Sequence, residues 1–263
     1  MPDVSYAPLI EGMTWSYSRL STFEDCPYHW YLKYINPVGE EEPLFFSSYG
    51  SFIHELLADY YYGKADKLSL RIKYLTEFDD RVPSRAPSSS VFKSYLLSGV
   101  RCLDELKPAG EVLGVEQRAD FKIAGHKFVG YIDLVEITHD NKLVISDHKS
   151  HALKARSGRK KPTRSDVELD EYLRQLYLYS NYVETAFGRR PDELRFNCFR
   201  TGELICEPFS ERVRDNVNEW AAGLIERITD ESEFHPNIEP FKCRYICEMH
   251  PRCEFYQIYK DGR

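Results

Sequence analysis

Four short stretches carry side chains that could together hold a divalent cation and hydrolyse a phosphodiester. They are His54, Glu116, Asp133 and the triplet Asp147-His148-Lys149. Carboxylates and a histidine offer the ligands that suit Mg²⁺ or Mn²⁺, and they leave positions for water. A bound cation lowers the pKa of a water molecule, and a neighbouring lysine can position that water or stabilise developing charge. These residue types therefore predict a catalytic metal site.

The segment 112–149 predicts the three strands that would position most of these groups. Residues 121–128 read as two strand ends around a tight turn at Gly125, and the run 128–135 carries Asp133. The strand 143–149 ends in Asp147-x-Lys149, and residues two apart on a strand point to one face. Alone, an Asp-x-Lys pair is usually an ordinary surface ion pair.

Two helices would supply the remaining groups. His54 borders the apolar stripe of a helix predicted over 50–62, where a lone histidine is more often structural than a ligand. Gln175 and Tyr179 are four residues apart in a helix predicted over 170–187, capped by Asp166 or Asp170, and so share one face.

The ordered set of these residues resembles the PD-(D/E)XK nuclease superfamily. The resemblance spans about residues 17–255 and is closest to the branch of the RecB nuclease domain and the CRISPR-associated RecB-like exonucleases. It implies a divalent-metal-dependent deoxyribonuclease, which is a hydrolase. The branch it resembles favours an exonuclease that acts on single-stranded DNA. The metal ligands it implies are His54, Glu116, Asp133, Asp147 and the His148 backbone carbonyl; the catalytic set is Lys149, Asp147, Asp133, Gln175 and Tyr179. Glu111 and Asp120 lie close to Glu116 in the sequence and are alternatives to it.

Three of the seven cysteines cluster near the C-terminus as Cys243, Cys247 and Cys253. Closely spaced thiolates in a chain without a secretory signal favour a metal over disulfides. Cys26 is the natural fourth ligand, and such a site would pin the regions 16–35 and 236–258 together. The other three cysteines are expected to be buried small hydrophobes: Cys102, Cys198 and Cys206.

The stretch from Ser18 to Trp30 resembles the N-terminal segment of the iron–sulfur RecB-like nucleases. That resemblance implies a [4Fe–4S] cluster held by Cys26, Cys243, Cys247 and Cys253, the usual complement of four thiolates. A tetrahedral zinc site is the chemical alternative, and a site without metal is a third. This chain has three residues between Cys243 and Cys247 where the family usually has two.

The formal net charge of −7 disfavours a protein that coats DNA passively, since such proteins are basic. Local positive charge is nevertheless concentrated directly after the strand of Lys149. Six basic residues fall within eleven positions that contain no acid, in a loop suited to gripping phosphates or simply solvated: Lys154, Arg156, Arg159, Lys160, Lys161 and Arg164. No apolar run is long enough to span a membrane, and the first residues do not form a signal peptide, so a cytoplasmic protein without membrane partners is expected.

The 263 residues predict one α/β (α+β) nuclease domain. We expect a mixed central β-sheet flanked by helices, a restriction-endonuclease-like core, a helix over 16–35, an acidic loop over 36–43, and a helical insertion over 64–110. Two other functions stay open: an endonuclease or end-trimming subunit for CRISPR adaptation or recombination, and a non-catalytic DNA-binding scaffold with a vestigial site. Expected partners are DNA ends and proteins of recombination, replication or CRISPR adaptation.

Overall fold

A five-stranded mixed sheet carries Glu116, Asp133, Asp147 and His148. The computed structural model describes residues 5–37, 44–83 and 85–261, so most of the predicted acidic loop 36–43 lies outside the described residues. The strands are β1 (Glu111–Ile123), β2 (His126–Ile137), β3 (Leu143–His148), β4 (Glu193–Cys198) and β5 (Glu203–Pro208). They lie in the order β1-β2-β3-β4-β5, with β2–β3 and β4–β5 antiparallel and β3–β4 parallel. The predicted mixed sheet and its three-stranded start are confirmed.

The N-terminal region contains two helices where the sequence predicted one over 16–35. After the short helix α1 (Ala7–Ile10), α2 (Tyr17–Asp25) and α3 (Pro27–Tyr34) are separated by Cys26, whose backbone is extended at φ −163°. Pro27 explains the break, because the residue before a proline is disfavoured in helical conformation. Ser16 caps α2 by accepting a hydrogen bond from the Arg19 amide, and the Cys26 sulfur accepts one from the His29 amide.

The helices α4 (Phe45–Tyr61), α5 (Lys67–Arg81) and α6 (Ser89–Asp104) precede the sheet. The first begins five residues earlier than the sequence predicted, since apolar Phe45 and Tyr49 extend its buried stripe. The Pro- and Ser-rich connector separates α5 from α6 as expected, and Asp66 and Ser88 cap their starts. A cluster of buried aromatic and aliphatic side chains holds the three helices together, including Tyr49, Phe52, Leu56, Tyr74 and Phe78.

The helix that carries Gln175 and Tyr179, α7 (Arg164–Phe187), begins six residues before the predicted start. Thr163, and not Asp166 or Asp170, is its N-cap. Asp166 occupies the third helical position, and its carboxylate accepts the Thr163 amide while Thr163 accepts the Asp166 amide. This reciprocal pair satisfies two backbone donors that the first turn would otherwise leave unpaired. Gly188 ends the helix in the left-handed region that glycine favours, at φ 68°.

The helix α8 (Glu211–Asp230) follows the sheet, and the C-terminal tail forms α9 (Pro240–Tyr245) and α10 (Glu254–Asp261). The chain divides into two compact units, one of residues 1–44, 121–129 and 218–263, the other of residues 45–120 and 130–217. Within the ranges that the structure describes, no helix is both long and apolar enough to cross a membrane.

Candidate metal centre

Strand pairing brings Asp133 and Asp147 to the same face of the sheet. Leu134 of β2 pairs with Ser146 of β3 in antiparallel register. Because side chains alternate along a strand, the next residues, Asp133 and Asp147, both point to the opposite face. Both carboxylates are buried, with 8% and 4% of their surface exposed. Two buried acids on one face repel each other unless a cation lies beside them.

His54 of α4 approaches this pair with its Nδ1 atom. Nδ1 lies 3.6 Å from Asp133 Oδ2 and 3.7 Å from Glu116 Oε1. On the other side of the ring, Nε2 lies 2.9 Å from the backbone carbonyl oxygen of His148. Histidines that ligate metals usually donate their second ring N–H to a carbonyl or carboxylate in this way, which fixes the tautomer and aims the free nitrogen.

Glu116 reaches the site from β1 through an unusual backbone conformation. Its φ is +44°, in the left-handed region that residues other than glycine rarely adopt. Strain of this kind costs on the order of 1–3 kcal/mol and is concentrated at functional sites. The two sequence neighbours considered as alternatives lie elsewhere: Glu111 is exposed at the start of β1, and Asp120 forms a bidentate pair with Arg118.

The donor atoms of this group fit a divalent cation. One ligand atom from each of His54, Glu116 and Asp133 lies within 4.8 Å of the other two. Asp147 is outside that group of three, and its buried Oδ2 pairs with Lys149 Nζ at 2.8 Å. Three carboxylates and one imidazole are a donor set that Mg²⁺ or Mn²⁺ accepts. The residues present therefore fit the cation that the sequence analysis predicted.

The pKa values within the group show the repulsion that a cation would relieve. Burial, followed by the charge of Asp147, raises the pKa of Asp133 to about 7. Burial opposes a charge on His54, but the hydrogen bond that His54 donates to Glu116 and the charges of Asp133 and Asp147 outweigh it and raise the His54 pKa to about 9. The His148 imidazole is different, because burial lowers its pKa to about 3 and keeps it neutral.

Lys149 stands between the metal group and α7. Its Nζ lies 2.8 Å from Asp147 Oδ2 and donates a 2.9 Å hydrogen bond to Gln175 Oε1. Gln175 in turn donates through Nε2 to the Tyr179 hydroxyl at 3.2 Å. The structure thus brings the lysine and the two helix residues into one hydrogen-bonded chain. Gln175 and Tyr179 share a helix face, as their spacing of four predicted.

Two aromatic rings beside Lys149 were not identified from the sequence as part of the site. Its Nζ lies 5.3 Å from the ring centre of Tyr172 and 5.7 Å from that of Phe196. A cation over an aromatic face is attracted by the ring's charge distribution. The available signal was the position of Tyr172, three residues before Gln175 on the same helix.

Gly130 allows Tyr179 to lie close to β2. A Cβ atom at position 130 would be 2.3 Å from a ring carbon of Tyr179, far inside normal contact distance. Burial raises the pKa of Tyr179 to about 12, so its hydroxyl stays protonated. The absence of a side chain at Gly130 therefore helps to set the position of the hydrogen-bonded chain that ends at Tyr179.

The basic segment 154–164 is exposed, and part of its charge is already paired. Arg156 donates to Asp170 and to Glu207, each at 2.6 Å. The Asp166 carboxylate anchors the segment by accepting from the amide and the hydroxyl of Ser157, each at 2.7 Å, and from Thr163. Arg164 begins α7 and so belongs to the helix.

The four cysteines of the predicted cluster line one small cavity in the unit that contains both chain ends. They are Cys26, Cys243, Cys247 and Cys253. The walls of the cavity also include Tyr28, Leu32 and Met249. Backbone amides of His29 and Asn237 donate to Cys26 Sγ at 3.4 and 3.3 Å. Burial raises the pKa of Cys247 to about 12, so that in the absence of a metal its thiol is neutral. Four cysteines on one cavity, with amide donors to the Cys26 sulfur, suit a thiolate-bound metal group.

The remaining cysteines follow the prediction only in part. Cys102 and Cys198 are buried as expected, but Cys206 is exposed, so the prediction for it was wrong. It lies on β5 at the edge of the sheet, where an apolar alternation in the sequence does not guarantee a covering layer.

A search of curated proteins finds no match, whereas a family model and solved structures do match. A crystal structure titled "Putative exonuclease" from Eubacterium rectale superposes with a TM-score of 0.51 at 13% sequence identity, covering 93% of this chain and 87% of that one. The crystal structure of SSO0001 matches with a TM-score of 0.32 at 15% sequence identity, covering 94% of this chain and 95% of that one. The model of the PD-(D/E)XK nuclease superfamily matches residues 14–254, and the chain belongs to that superfamily.

Proposed function

We propose that the protein is a divalent-metal-dependent deoxyribonuclease that removes nucleotides from single-stranded DNA ends. The observation that carries the proposal is the convergence of His54, Glu116 and Asp133, with ligand atoms within 4.8 Å of one another, beside the Asp147–Lys149 pair. Membership of the nuclease superfamily supports hydrolysis of a phosphodiester. The choice of DNA, of single strands and of ends rests on the resemblance to the RecB-like branch.

His54, Glu116, Asp133 and Asp147, with the His148 carbonyl, would hold the cation. The carbonyl accepts from His54 Nε2, and its second lone pair remains for a cation. When bound, a divalent cation supplies an acidified water and neutralises phosphate charge. The protein itself orients the carboxylates. The His148 amide donates to Asp133 Oδ2 at 2.6 Å, which holds that oxygen in place before any substrate binds.

Lys149 would assist the attacking water and stabilise negative charge on the scissile phosphate. Its ammonium is held between Asp147 Oδ2 and Gln175 Oε1, so its position is fixed from two sides. Gln175 and Tyr179 would then serve as positioning residues that act through Lys149. A lysine held in this way needs little rearrangement as charge develops, which is the source of most electrostatic stabilisation in enzymes.

The chain contains a matched control for the lysine. Asp140-x-Lys142 repeats the spacing of Asp147-x-Lys149, and its ion pair of 3.2 Å is exposed in the turn between β2 and β3. Purified protein and the variants Lys149→Met and Lys142→Met would be incubated with labelled DNA in Mg²⁺, Mn²⁺ or EDTA. We expect metal-dependent cleavage that is lost in Lys149→Met and retained in Lys142→Met. Equal loss in both variants, or cleavage of no substrate by the unmodified protein, would contradict the proposal.

Substrate form separates the exonuclease from the alternatives. Single strands labelled at the 5′ or 3′ end, duplexes and closed single-stranded circles would be compared in the same assay. An exonuclease shortens linear strands and leaves circles intact, and the label that is released first gives the polarity. Cleavage of circles would favour the endonuclease, and tight binding without cleavage would favour the scaffold.

We further propose a structural [4Fe–4S] cluster on Cys26, Cys243, Cys247 and Cys253. The shared cavity and the amide donors to Cys26 support it, and a Cys₄ zinc site is the alternative. Protein purified without oxygen would be analysed for iron, sulfide and zinc. We expect about four irons per chain, lost in Cys26→Ser and retained when the exposed Cys206 is changed to serine. One zinc and no sulfide would establish the alternative.

A further inference from the structure

The ammonium of Lys149 has one hydrogen-bond donor more than the acceptors around it take up. A lysine ammonium carries three N–H donors. Asp147 Oδ2, at 2.8 Å, and Gln175 Oε1, at 2.9 Å, accept two of them, and no other acceptor of Lys149 occurs among the described residues. The side chain of Lys149 is 15% exposed, so the protein does not enclose it completely. The groups on its remaining sides therefore decide where the third N–H can point.

Two aromatic rings lie beside the same ammonium. Nζ is 5.3 Å from the ring centre of Tyr172 and 5.7 Å from that of Phe196. The two rings meet edge-on, with an angle of 78° between their planes and centroids 6.5 Å apart. A ring face attracts a cation through its charge distribution, yet it does not replace an oxygen acceptor. We call these two rings the aromatic wall of Lys149.

The aromatic wall comes from the two elements that flank the end of β3. Phe196 of β4 pairs with Asp147 in parallel register, so the two side chains point to the same face of the sheet. Tyr172 lies on α7, three residues before Gln175, and residues at this spacing share a helix face. The helix therefore presents both an acceptor and a ring to Lys149.

His151 packs against Tyr172 and adds no positive charge there. The two ring centroids are 4.7 Å apart, with an angle of 41° between the planes. Burial, followed by the charge of Lys149, lowers the pKa of His151 to about 4, so its imidazole is neutral near pH 7. A neutral ring can support Tyr172 without repelling the ammonium.

From this arrangement we propose that Tyr172 is a positioning residue that acts through Lys149. With Phe196, its ring confines the ammonium where no acceptor holds it, and so leaves the third N–H for the attacking water or a phosphate oxygen. The inference rests on the proposed nuclease function and adds to it a residue outside the ordered polar set. Tyr172 carries the test because it is half-buried, whereas Phe196 is fully buried and its truncation would open the core.

The geometry would be tested by NMR of the whole protein in EDTA, which does not depend on cleavage. Protons held against an aromatic face resonate upfield, and the ε-methylene signals of Lys149 would be assigned by their loss in Lys149→Met. We expect these signals to lie upfield of those of exposed lysines, to stay upfield in Tyr172→Phe and to move back in Tyr172→Leu. Signals at the position of exposed lysines in the unmodified protein would overturn the proposal.

Cleavage of labelled DNA in Mg²⁺ would then be measured for the same variants. We expect Tyr172→Leu to lower kcat about tenfold with little change in KM, since it removes the ring but not the bulk. Tyr172→Phe keeps the ring and should retain kcat. Tyr177→Leu is the matched control, the same substitution on α7, because the Tyr177 ring packs on Phe209 with centroids 5.7 Å apart. It should lower the melting temperature and leave kcat unchanged.

The outcomes separate the role of Tyr172 from the proposed function. If the unmodified protein cleaves DNA and Tyr172→Leu keeps full kcat, the nuclease function stands and the positioning role is overturned. Equal losses of kcat in Tyr172→Phe and Tyr172→Leu would assign the effect to the hydroxyl and would also overturn it. If the unmodified protein cleaves no DNA, the nuclease function itself fails, and the positioning role fails with it.

Discussion

The backbone amide of His148 donates a 2.6 Å hydrogen bond to Oδ2 of Asp133. The two residues lie on neighbouring strands, so the bond ties the end of β3 to the carboxylate of β2. The carbonyl of the same residue accepts from His54 Nε2 at 2.9 Å. One peptide segment therefore orients two of the proposed ligands. Such outer contacts are what keep a metal site in its productive geometry.

The charged form of Asp133 should destabilise the metal-free fold, and Asp133→Asn should relieve this. Burial and the charge of Asp147 raise its pKa to about 7. A carboxyl group whose pKa is higher in the folded than in the unfolded state destabilises the fold when it ionises. The stability of the protein therefore falls progressively as the pH rises from about 4 to about 7. At pH 8 in EDTA we expect Asp133→Asn to be more stable by about 1–2 kcal/mol in urea unfolding.

Asp120→Asn is the control for that comparison, because Asp120 is exposed and paired with Arg118. Its stability should change little or fall slightly. Added Mg²⁺ should raise the melting temperature of the unmodified protein more than that of Asp133→Asn. A less stable Asp133→Asn protein in EDTA at pH 8 would show that the His148 and His54 contacts outweigh the repulsion.

Gln175→Met should reduce cleavage without removing the cation. The substitution keeps the length of the side chain but removes the acceptor that holds Lys149 Nζ at 2.9 Å and the donor to Tyr179. Loss of a positioning contact next to a reacting group can cost on the order of 10²-fold in rate. We expect kcat to fall by roughly that factor, with the Mg²⁺ dependence unchanged.

Gln175→Glu helps to distinguish positioning from folding, since it restores an acceptor for Lys149. Partial recovery of kcat in that variant is expected, and Gln257→Met on α10, in the other compact unit, serves as the glutamine control. If Gln175→Met retains full activity, the hydrogen-bonded chain from Lys149 to Tyr179 has no part in the reaction.

Gly130→Ala should displace Tyr179 from β2. The added carbon would lie 2.3 Å from the Tyr179 ring, and overpacking of this kind typically costs about 1–3 kcal/mol. Gly223→Ala is the matched control: nothing lies within 4 Å of its Cβ position, and alanine in a helix interior is stabilising by up to about 1 kcal/mol. Opposite shifts in melting temperature are expected, and equal shifts would contradict the packing argument.

The sequence predicted the strands well, because period-two alternation is a local signal. The order of the polar residues was enough to name candidate metal ligands, and their role as ligands stays a prediction. The position of Glu116 was harder, since its left-handed backbone and its approach to His54 depend on tertiary structure. The break at Cys26 was missed although Pro27 was its local cause. The exposure of Cys206 depends on what covers that face of the sheet, which no local pattern reveals.

Asp166 should control the order of the basic segment 154–164. Hydrogen bonds from Ser157 and Thr163 hold the pKa of Asp166 well below the ordinary value for an aspartate. An acid with a lowered folded pKa contributes stability above its unfolded pKa of about 3.9 and loses it as the pH falls through the folded value. Asp166→Asn should therefore speed trypsin cleavage within the segment at pH 8.

Glu168→Gln, at an exposed position of the same helix, is the control and should be cleaved at the rate of the unmodified protein. As the pH is lowered from 6, the amide signals of Ser157 and Thr163 in NMR spectra should move with a midpoint below about 3.9. A midpoint at or above that value would contradict the assigned role of the carboxylate.

Lys160 and Lys161 should contribute more to DNA binding than Arg156, which is also basic but is paired with Asp170 and Glu207. Each phosphate neutralised on a single strand contributes about −0.7 to the slope of log affinity against log salt. We expect Lys160→Ala with Lys161→Ala to reduce the slope by about 1.4 and to weaken binding of all sequences alike. Arg156→Ala should change the slope by less than half as much. Fluorescence anisotropy with Ca²⁺ in place of Mg²⁺ would measure this, and an unchanged slope in the double variant would remove the segment from the DNA-binding surface.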